Sequence, residues 1–344
     1  VETDEHAPTT LPAGVVREAH GPERLVVVWA RTDLGALLAT LERAGHLPLL
    51  VDPAETEDLL ETAGAPALLL VESDLLDEAT VAVLERVRRR SRQTRVAVVA
   101  DAGAGAHGLL TALRHGLSDV VAPDDPAALE QLLPARAHHR GERVLAIGAH
   151  PDDVEIGCGA TLLRHAAQGH PVSVLTLSRG AVGGPREERR REAVAAATAM
   201  SAELLMADLP DTRLEEAHEM IGLIEAVIAS VSPTTVYVHS AADNHQDHRA
   251  VHAAAVIAAR RVPQLFCYQS PSSRNGFAPT RFVPVEDTIE TKLDLLACYR
   301  SQSARDYLEP DLVVASARYW SRQVSHTRYA EPFEVLRASE VVGG

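Results

Sequence analysis

Two short segments hold residue types that can do hydrolytic chemistry. The first is Ala149-His150-Pro151-Asp152-Asp153-Val154-Glu155-Ile156-Gly157-Cys158-Gly159, and the second is Asp243-Asn244-His245-Gln246-Asp247-His248. Each follows a run of apolar, β-prone residues, at 144–149 and 235–239. Ligands of open parallel sheets bind beyond the carboxyl ends of the strands, so both segments are expected to open on one crevice. Two imidazoles and a carboxylate drawn from them match the three-protein-ligand, one-open-position pattern of a catalytic zinc. The surplus carboxylate and imidazole would be the acid and base beside the metal. Singly, each segment has a plainer reading: Asp-Asp after a strand often caps a helix, and His-x-x-His is common on surfaces. Their pairing at equivalent strand ends makes the case for a site.

The elements that must position these residues follow from the apolar pattern. A chain of 344 residues is too long for one ordinary core and fits two α/β domains. Residues 1–20, with Pro8, Pro12 and several acids, read as a flexible tail. Over 21–138, apolar runs at 25–29, 47–51, 67–71, 96–100 and 120–122 alternate with amphipathic stretches. That pattern predicts a five-stranded, doubly wound, flavodoxin-like domain. The polar stretch 136–142, with His138, His139 and Gly141, reads as a solvated linker, and the boundary is set at 139–142. A second alternation fills 143–344, with strands at 144–149, 172–177, 204–207, 235–239 and 265–268 and helices near 157–168, 186–200, 214–230 and 247–261. It predicts a Rossmann-like domain with a mostly parallel sheet.

Composition excludes several partners. The net charge of −15 disfavours nucleic acid and an anionic membrane surface. No apolar run has the length of a membrane span, and the acidic, polar start is unlike a signal peptide. Cys158, Cys267 and Cys298 form neither a disulfide framework nor a thiolate metal site, so a reducing cytoplasm is expected.

The first motif followed by His245-Gln246-Asp247-His248 resembles the PIG-L / LmbE-like family of zinc-dependent N-acetylglucosaminyl deacetylases. The resemblance covers about 143–337 and takes in Arg189-x-x-Glu192, Leu209-Pro210-Asp211, Lys292, Tyr299-Arg300-Ser301-Gln302 and Tyr329-Ala330-Glu331-Pro332-Phe333. It implies one zinc per chain held by His150, Asp153 and His248, with Asp152 as general base. It implies that a protonated His245 stabilises the oxyanion or protonates the leaving amine, that Asp247 orients His245, and that Arg189 and Asp211 contact sugar hydroxyls. The implied reaction hydrolyses the acetamide of an N-acetylglucosaminyl small molecule to acetate and a free amine, in secondary-metabolite (antibiotic) or thiol-cofactor biosynthesis. One departure stands out. Many members carry Thr-x-Gly-Glu after the second strand, where this chain has Leu177-Ser178-Arg179-Gly180-Ala181-Val182-Gly183-Gly184. Plainer readings sit beside the outer residues: a solvated helix face for Arg189, a turn for Asp211 and a packed core position for Cys158.

The first domain resembles a response-regulator receiver in topology and in Gly116-Leu117-Ser118-Asp119-Val120-Val121 before its last helix. Its working groups differ. Val28-Trp29-Ala30 lacks the acidic pair, Glu72 stands for the phosphoacceptor Asp, and Ala122-Pro123 replaces Lys-Pro. It reads as a degenerate receiver serving contacts or homo-oligomer formation. Leu129, Leu132 and Leu133 on the last helix form either a dimer stripe or core. The rival reading of the whole chain is a signalling or binding protein whose deacetylase-like half is inert. A third keeps the hydrolase but changes the bond to another amide or an ester.

Overall fold

The computed structural model describes residues 11–19, 21, 25–43, 46–56, 59, 66–90, 94–100, 106–132, 142–215 and 218–339. They divide into two units, residues 20–140 and residues 1–19 together with 141–344. The chain therefore starts in the larger unit, leaves to build the smaller, and returns. The starting piece is strand β1 (Val16–Ala19), paired antiparallel along the edge of the larger sheet. Residues 16–19 are thus not part of a loose tail. Their backbone satisfies an otherwise open sheet edge, and Arg17 Nε lies 2.6 Å from Glu203 Oε1. Residues 1–10 and 139–141, where tail and linker are expected, lie outside the described residues.

In the smaller unit, β2 (Leu25–Trp29), β3 (Leu47–Leu50), β4 (Leu68–Glu72), β5 (Arg95–Val99) and β6 (Val120–Val121) form one parallel sheet, ordered β3-β2-β4-β5-β6. This is the 2-1-3-4-5 order of doubly wound sheets of the flavodoxin kind. Both faces are covered, so β2 and β4 are buried throughout and read as continuous apolar runs rather than alternating ones. Leu129 and Leu132 pack into this core instead of forming an outer stripe; Leu133 lies outside the described residues.

The larger sheet has eight strands. Its parallel centre runs β9-β8-β7-β10-β11, from β7 (Val144–Gly148), β8 (Val172–Ser178), β9 (Glu203–Leu209), β10 (Thr235–His239) and β11 (Gln264–Tyr268). Beside β1, two further antiparallel strands extend it, β12 (Arg281–Pro284) and β13 (Ala330–Ala338). The central order, 3-2-1-4-5, reverses between β7 and β10, which is where such sheets open a crevice. Among the described residues no helix is long and apolar enough to cross a membrane.

The helix after β7 runs Asp153–Ala167 and starts earlier than the expected 157. The sequence obscures this start because the helix bends at Cys158 (φ −145°, ψ 16°). Lys292 Nζ donates to the Ile156 carbonyl and to Glu331, 2.7 and 2.6 Å away. Glu331 in turn accepts from the Ala160 and Thr161 amides and the Thr161 hydroxyl. Backbone groups loosened at the bend thereby find partners inside the core. Gly157 lets this helix lie against Tyr268, whose ring carbon would be 2.2 Å from any added Cβ. Cys158 is fully buried, as a packed core residue should be.

Candidate active site

The loops after β7 and β10 meet at the reversal point. Asp153 lies at their centre. Its Oδ2 accepts from the His150 amide at 2.7 Å and is 3.4 Å from His150 Nδ1, while its Oδ1 is 3.3 Å from His248 Nε2. Burial opposes ionisation of Asp153, but the charges of His248 and His239 and hydrogen bonds from His150 and His239 outweigh it and hold the pKa well below its usual value.

Both imidazoles have their far nitrogen fixed by carboxylates. His150 Nε2 is 3.1 Å from Asp211 Oδ1 and 3.1 Å from Asp247 Oδ2. His248 Nδ1 is 3.0 Å from Asp243 Oδ2. These contacts leave His150 Nδ1 and His248 Nε2 facing Asp153, the two nitrogens that would give up a proton to take an ion. That is how carboxylates orient metal-ligating histidines, and a nitrogen, nitrogen and carboxylate set suits zinc. Burial works to lower the His150 pKa, but the three aspartates raise it, to about 12. Burial likewise opposes the charge on His248, and Asp153 and Asp243 lift it to about 9.

Two overlapping groups approach closely enough to share an ion, Asp153 with His239 and His248, and His150 with His245 and His248. His239 is less suited to that task, because its Nε2 is shared between the Ala149 amide at 3.1 Å and Asp153 Oδ2 at 3.2 Å. The ring instead stacks on His248, with centroids 3.9 Å apart, and fixes its plane.

Two expected contacts are different in the structure. Asp247 was expected to orient His245, yet its carboxylate accepts from the Thr212 and Leu214 amides and reaches His150. Only its backbone amide meets His245, donating to Nδ1 at 3.3 Å because His245 caps the helix Gln246–Ala258. His245 therefore carries its proton on Nε2. Burial, with the charges of His248 and His150, lowers its pKa, which favours the neutral ring over the cation. Asp211 was expected at the sugar hydroxyls, but one oxygen faces His150 and the other accepts from the Val182 amide at 2.7 Å. It anchors the imidazole and the glycine-rich loop.

Asp152 sits beside the cluster with a left-handed backbone (φ 99°), a strained conformation for a residue with a side chain. Burial pushes its pKa up, opposed by Arg189, whose Nη2 is 3.1 Å from Asp152 Oδ2. Arg189 is not on a solvated face: it is 3% exposed and also donates to the Pro151 carbonyl. Its Nε and Nη1 are buried without hydrogen-bond partners, Nη1 lying 3.8 Å from Glu192. Gly180 (φ +63°) gives it room, since a Cβ there would be 3.1 Å from Nε. Together these groups line a cavity of about 400 Å³.

The GlcNAc-PI de-N-acetylase (PIG-L) family matches residues 145–259. The chain is 34% identical over 184 residues to an uncharacterized deacetylase of Escherichia coli, spanning 98% of that protein and 50% of this chain. The chain belongs to the PIG-L deacetylase family. It is also 41% identical over 86 residues, 23% of each chain, to a 1D-myo-inositol 2-acetamido-2-deoxy-alpha-D-glucopyranoside deacetylase of Kineococcus radiotolerans. A conserved protein of Thermus thermophilus superposes with a TM-score of 0.52 at 28% identity, covering 59% of this chain and 98% of its own.

In this PIG-L deacetylase, sequence reasoning missed four residues of the site. Asp243 reads as one more loop acid, and only its place two residues before the His245 amide it accepts from hinted at a role. His239 reads as the end of a strand. Arg305 and Tyr307 line the cavity from a segment with no motif.

Proposed function

We propose that this chain is a zinc-dependent N-deacetylase, with one catalytic ion per chain, that hydrolyses the acetamide of an N-acetylglucosaminyl small molecule in the assembly of a secondary metabolite or a thiol cofactor. The observation that carries this reading is the pair of carboxylate-oriented imidazoles whose near nitrogens face one carboxylate. His150, Asp153 and His248 would hold the ion. A bound zinc supplies Lewis acidity, polarising the amide carbonyl and acidifying water at the open position. Asp152 accepts the proton of the attacking water and returns it to the departing nitrogen, so that acetate and an amine leave. Its raised pKa suits a group that must take and give a proton near neutrality. His245 donates its Nε2–H to the carbonyl oxygen as negative charge grows there. The unpartnered N–H groups of Arg189 bind substrate hydroxyls.

The sugar class is supported by the family and by the Kineococcus relative, which acts on a glycoside of 2-acetamido-2-deoxyglucose. For the smaller unit we read a receiver-like domain without phosphotransfer, supported by its strand order. The test is release of free amine and acetate from a panel of N-acetylglucosaminyl compounds differing in aglycone, with zinc-loaded and chelated protein. Amine release that requires zinc is expected. Release at an equal rate after chelation overturns the metal reading, and turnover of simple esters but no acetamide overturns the bond.

A further inference from the structure

A second cluster of metal-binding side chains lies at the far end of the same helix, about 18 Å from Asp153 at 1.5 Å per residue. The helix Asp153–Ala167 ends in a left-handed glycine, Gly169 (φ 78°). The His170 amide donates to the His165 carbonyl at 3.0 Å and the Gly169 amide to the Ala166 carbonyl at 2.9 Å. This is a Schellman motif, which brings the side chains at its two ends together, usually as an apolar contact. Here both are histidines, and their Nδ1 atoms are 3.0 Å apart. Glu142, entering β7, adds Oε2 at 3.4 Å from His165 Nδ1. All three donor atoms lie within 4.8 Å of one another.

We propose that Glu142, His165 and His170 form a second transition-metal site, structural rather than catalytic, of a kind that takes zinc. The spacing is close to a tetrahedral edge, which is about 3.3 Å for bonds of 2.0–2.1 Å. Supporting contacts are in place. His165 Nε2 is 3.0 Å from the Tyr237 hydroxyl, and Gln264 donates to Glu142 Oε1 at 3.3 Å. With the Nε2 proton donated to the Tyr237 oxygen, the Nδ1 lone pair of His165 faces the other two donors, the relation expected behind a ligating histidine. Two arginines border the cluster, and each has another partner: Arg164 donates to the Pro284 carbonyl and Arg281 lies over the Phe266 ring. The cluster faces a cavity of about 340 Å³, which leaves a position for water. An ion there would tie the end of the helix that begins at Asp153 to the start of β7.

The test uses untagged full-length protein, stripped with chelator and dialysed against zinc, with metal counted per chain. The wild type is expected to take up two ions and His170→Gln one, with deacetylation unchanged. In a His248→Ala background, one ion should remain, raise the melting temperature, and be lost on adding His170→Gln. Glu142→Gln, which replaces a ligating carboxylate by an amide, should weaken this ion by at least the roughly 10-fold that loss of a merely supporting carboxylate costs. If His170→Gln binds as much zinc as the wild type, in either background, the proposal is overturned and the histidines are a hydrogen-bonded helix terminus. Should the wild type bind a single ion that is lost with His170→Gln but kept with His248→Ala, the second site stands and the catalytic ion falls.

Discussion

Each unit of this chain has a run of parallel strands whose order reverses beside the first of them, β2 in the smaller unit and β7 in the larger, and each places an acid at the mouth of the crevice that results. In the smaller unit the acid is Glu72 at the end of β4. It accepts from the Arg31 amide at 2.6 Å, the Thr32 amide at 3.3 Å and the Thr32 hydroxyl. In the larger unit it is Asp153, which takes one amide bond and turns its remaining capacity to three imidazoles, those of His150, His248 and His239. The neighbouring cavities are of similar size, about 380 Å³ and about 400 Å³. Volume and topology therefore do not separate an active crevice from a closed one. The difference is whether the carboxylate answers mainly to nearby backbone or to imidazoles of a type that can ligate an ion.

The sharpest way to break this contrast is to remove one of those imidazoles. His248→Ala is expected to abolish zinc binding at the catalytic site and deacetylation together, read by metal content and amine release. Full activity in that variant would mean that the crevice works without the proposed ion. Next in size is Asp152→Asn, expected to keep the metal and lose about 10²–10⁴-fold in kcat, the usual worth of a general acid–base group. A variant that loses the ion instead would exchange the roles of Asp152 and Asp153. Smaller again is Asp243→Asn, which leaves every ligand in place but loosens the tautomer of His248. Zinc affinity should fall about 10–100-fold, and excess zinc should restore turnover. No change in affinity would show that stacking on His239 alone orients the ring.

These predictions also mark what the sequence could and could not show. The central strands are legible because a sheet covered on both faces needs unbroken apolar runs. The two motifs are legible because each lies within a few residues of its strand. What escapes is whatever depends on distant pairing. β1 is half polar, and its strand character comes from β9, far along the chain. β12 and β13 pair mainly with each other and β11 after long intervals. Asp247 lies two residues from His245 and so reads as its partner, yet the turn at Thr212 and Leu214 captures its carboxylate and aims it at His150. Lys292 and Glu331 read as detached tail motifs, although they brace the bend of the helix that begins at Asp153.

The smallest expected effect sharpens the comparison from the closed side. Glu72→Gln keeps the length of the side chain and one acceptor oxygen but removes the charge that three donors converge on. Charge-assisted bonds exceed neutral ones by about 1 kcal/mol, so the smaller unit should lose about that much stability at pH 7. Trp29 is a suitable reporter, being buried in that unit's core, with Trp320→Phe removing the other tryptophan. The pH dependence has a definite sign. Burial works to raise the Glu72 pKa, but the Thr32 and Arg31 bonds outweigh it, and the folded value lies below the ordinary 4.5. The charged form is thus the one the fold favours. Its contribution is complete above about pH 4.5 and disappears as the pH falls through the folded value. Wild type and variant should therefore differ in denaturant midpoint at pH 7 and converge in acid, while deacetylation is unaffected. A small-molecule phosphodonor should add no mass to the wild type, because both Glu72 oxygens are already engaged. A gap that widens in acid, or a phosphorylated Glu72, would show that this crevice is not closed after all.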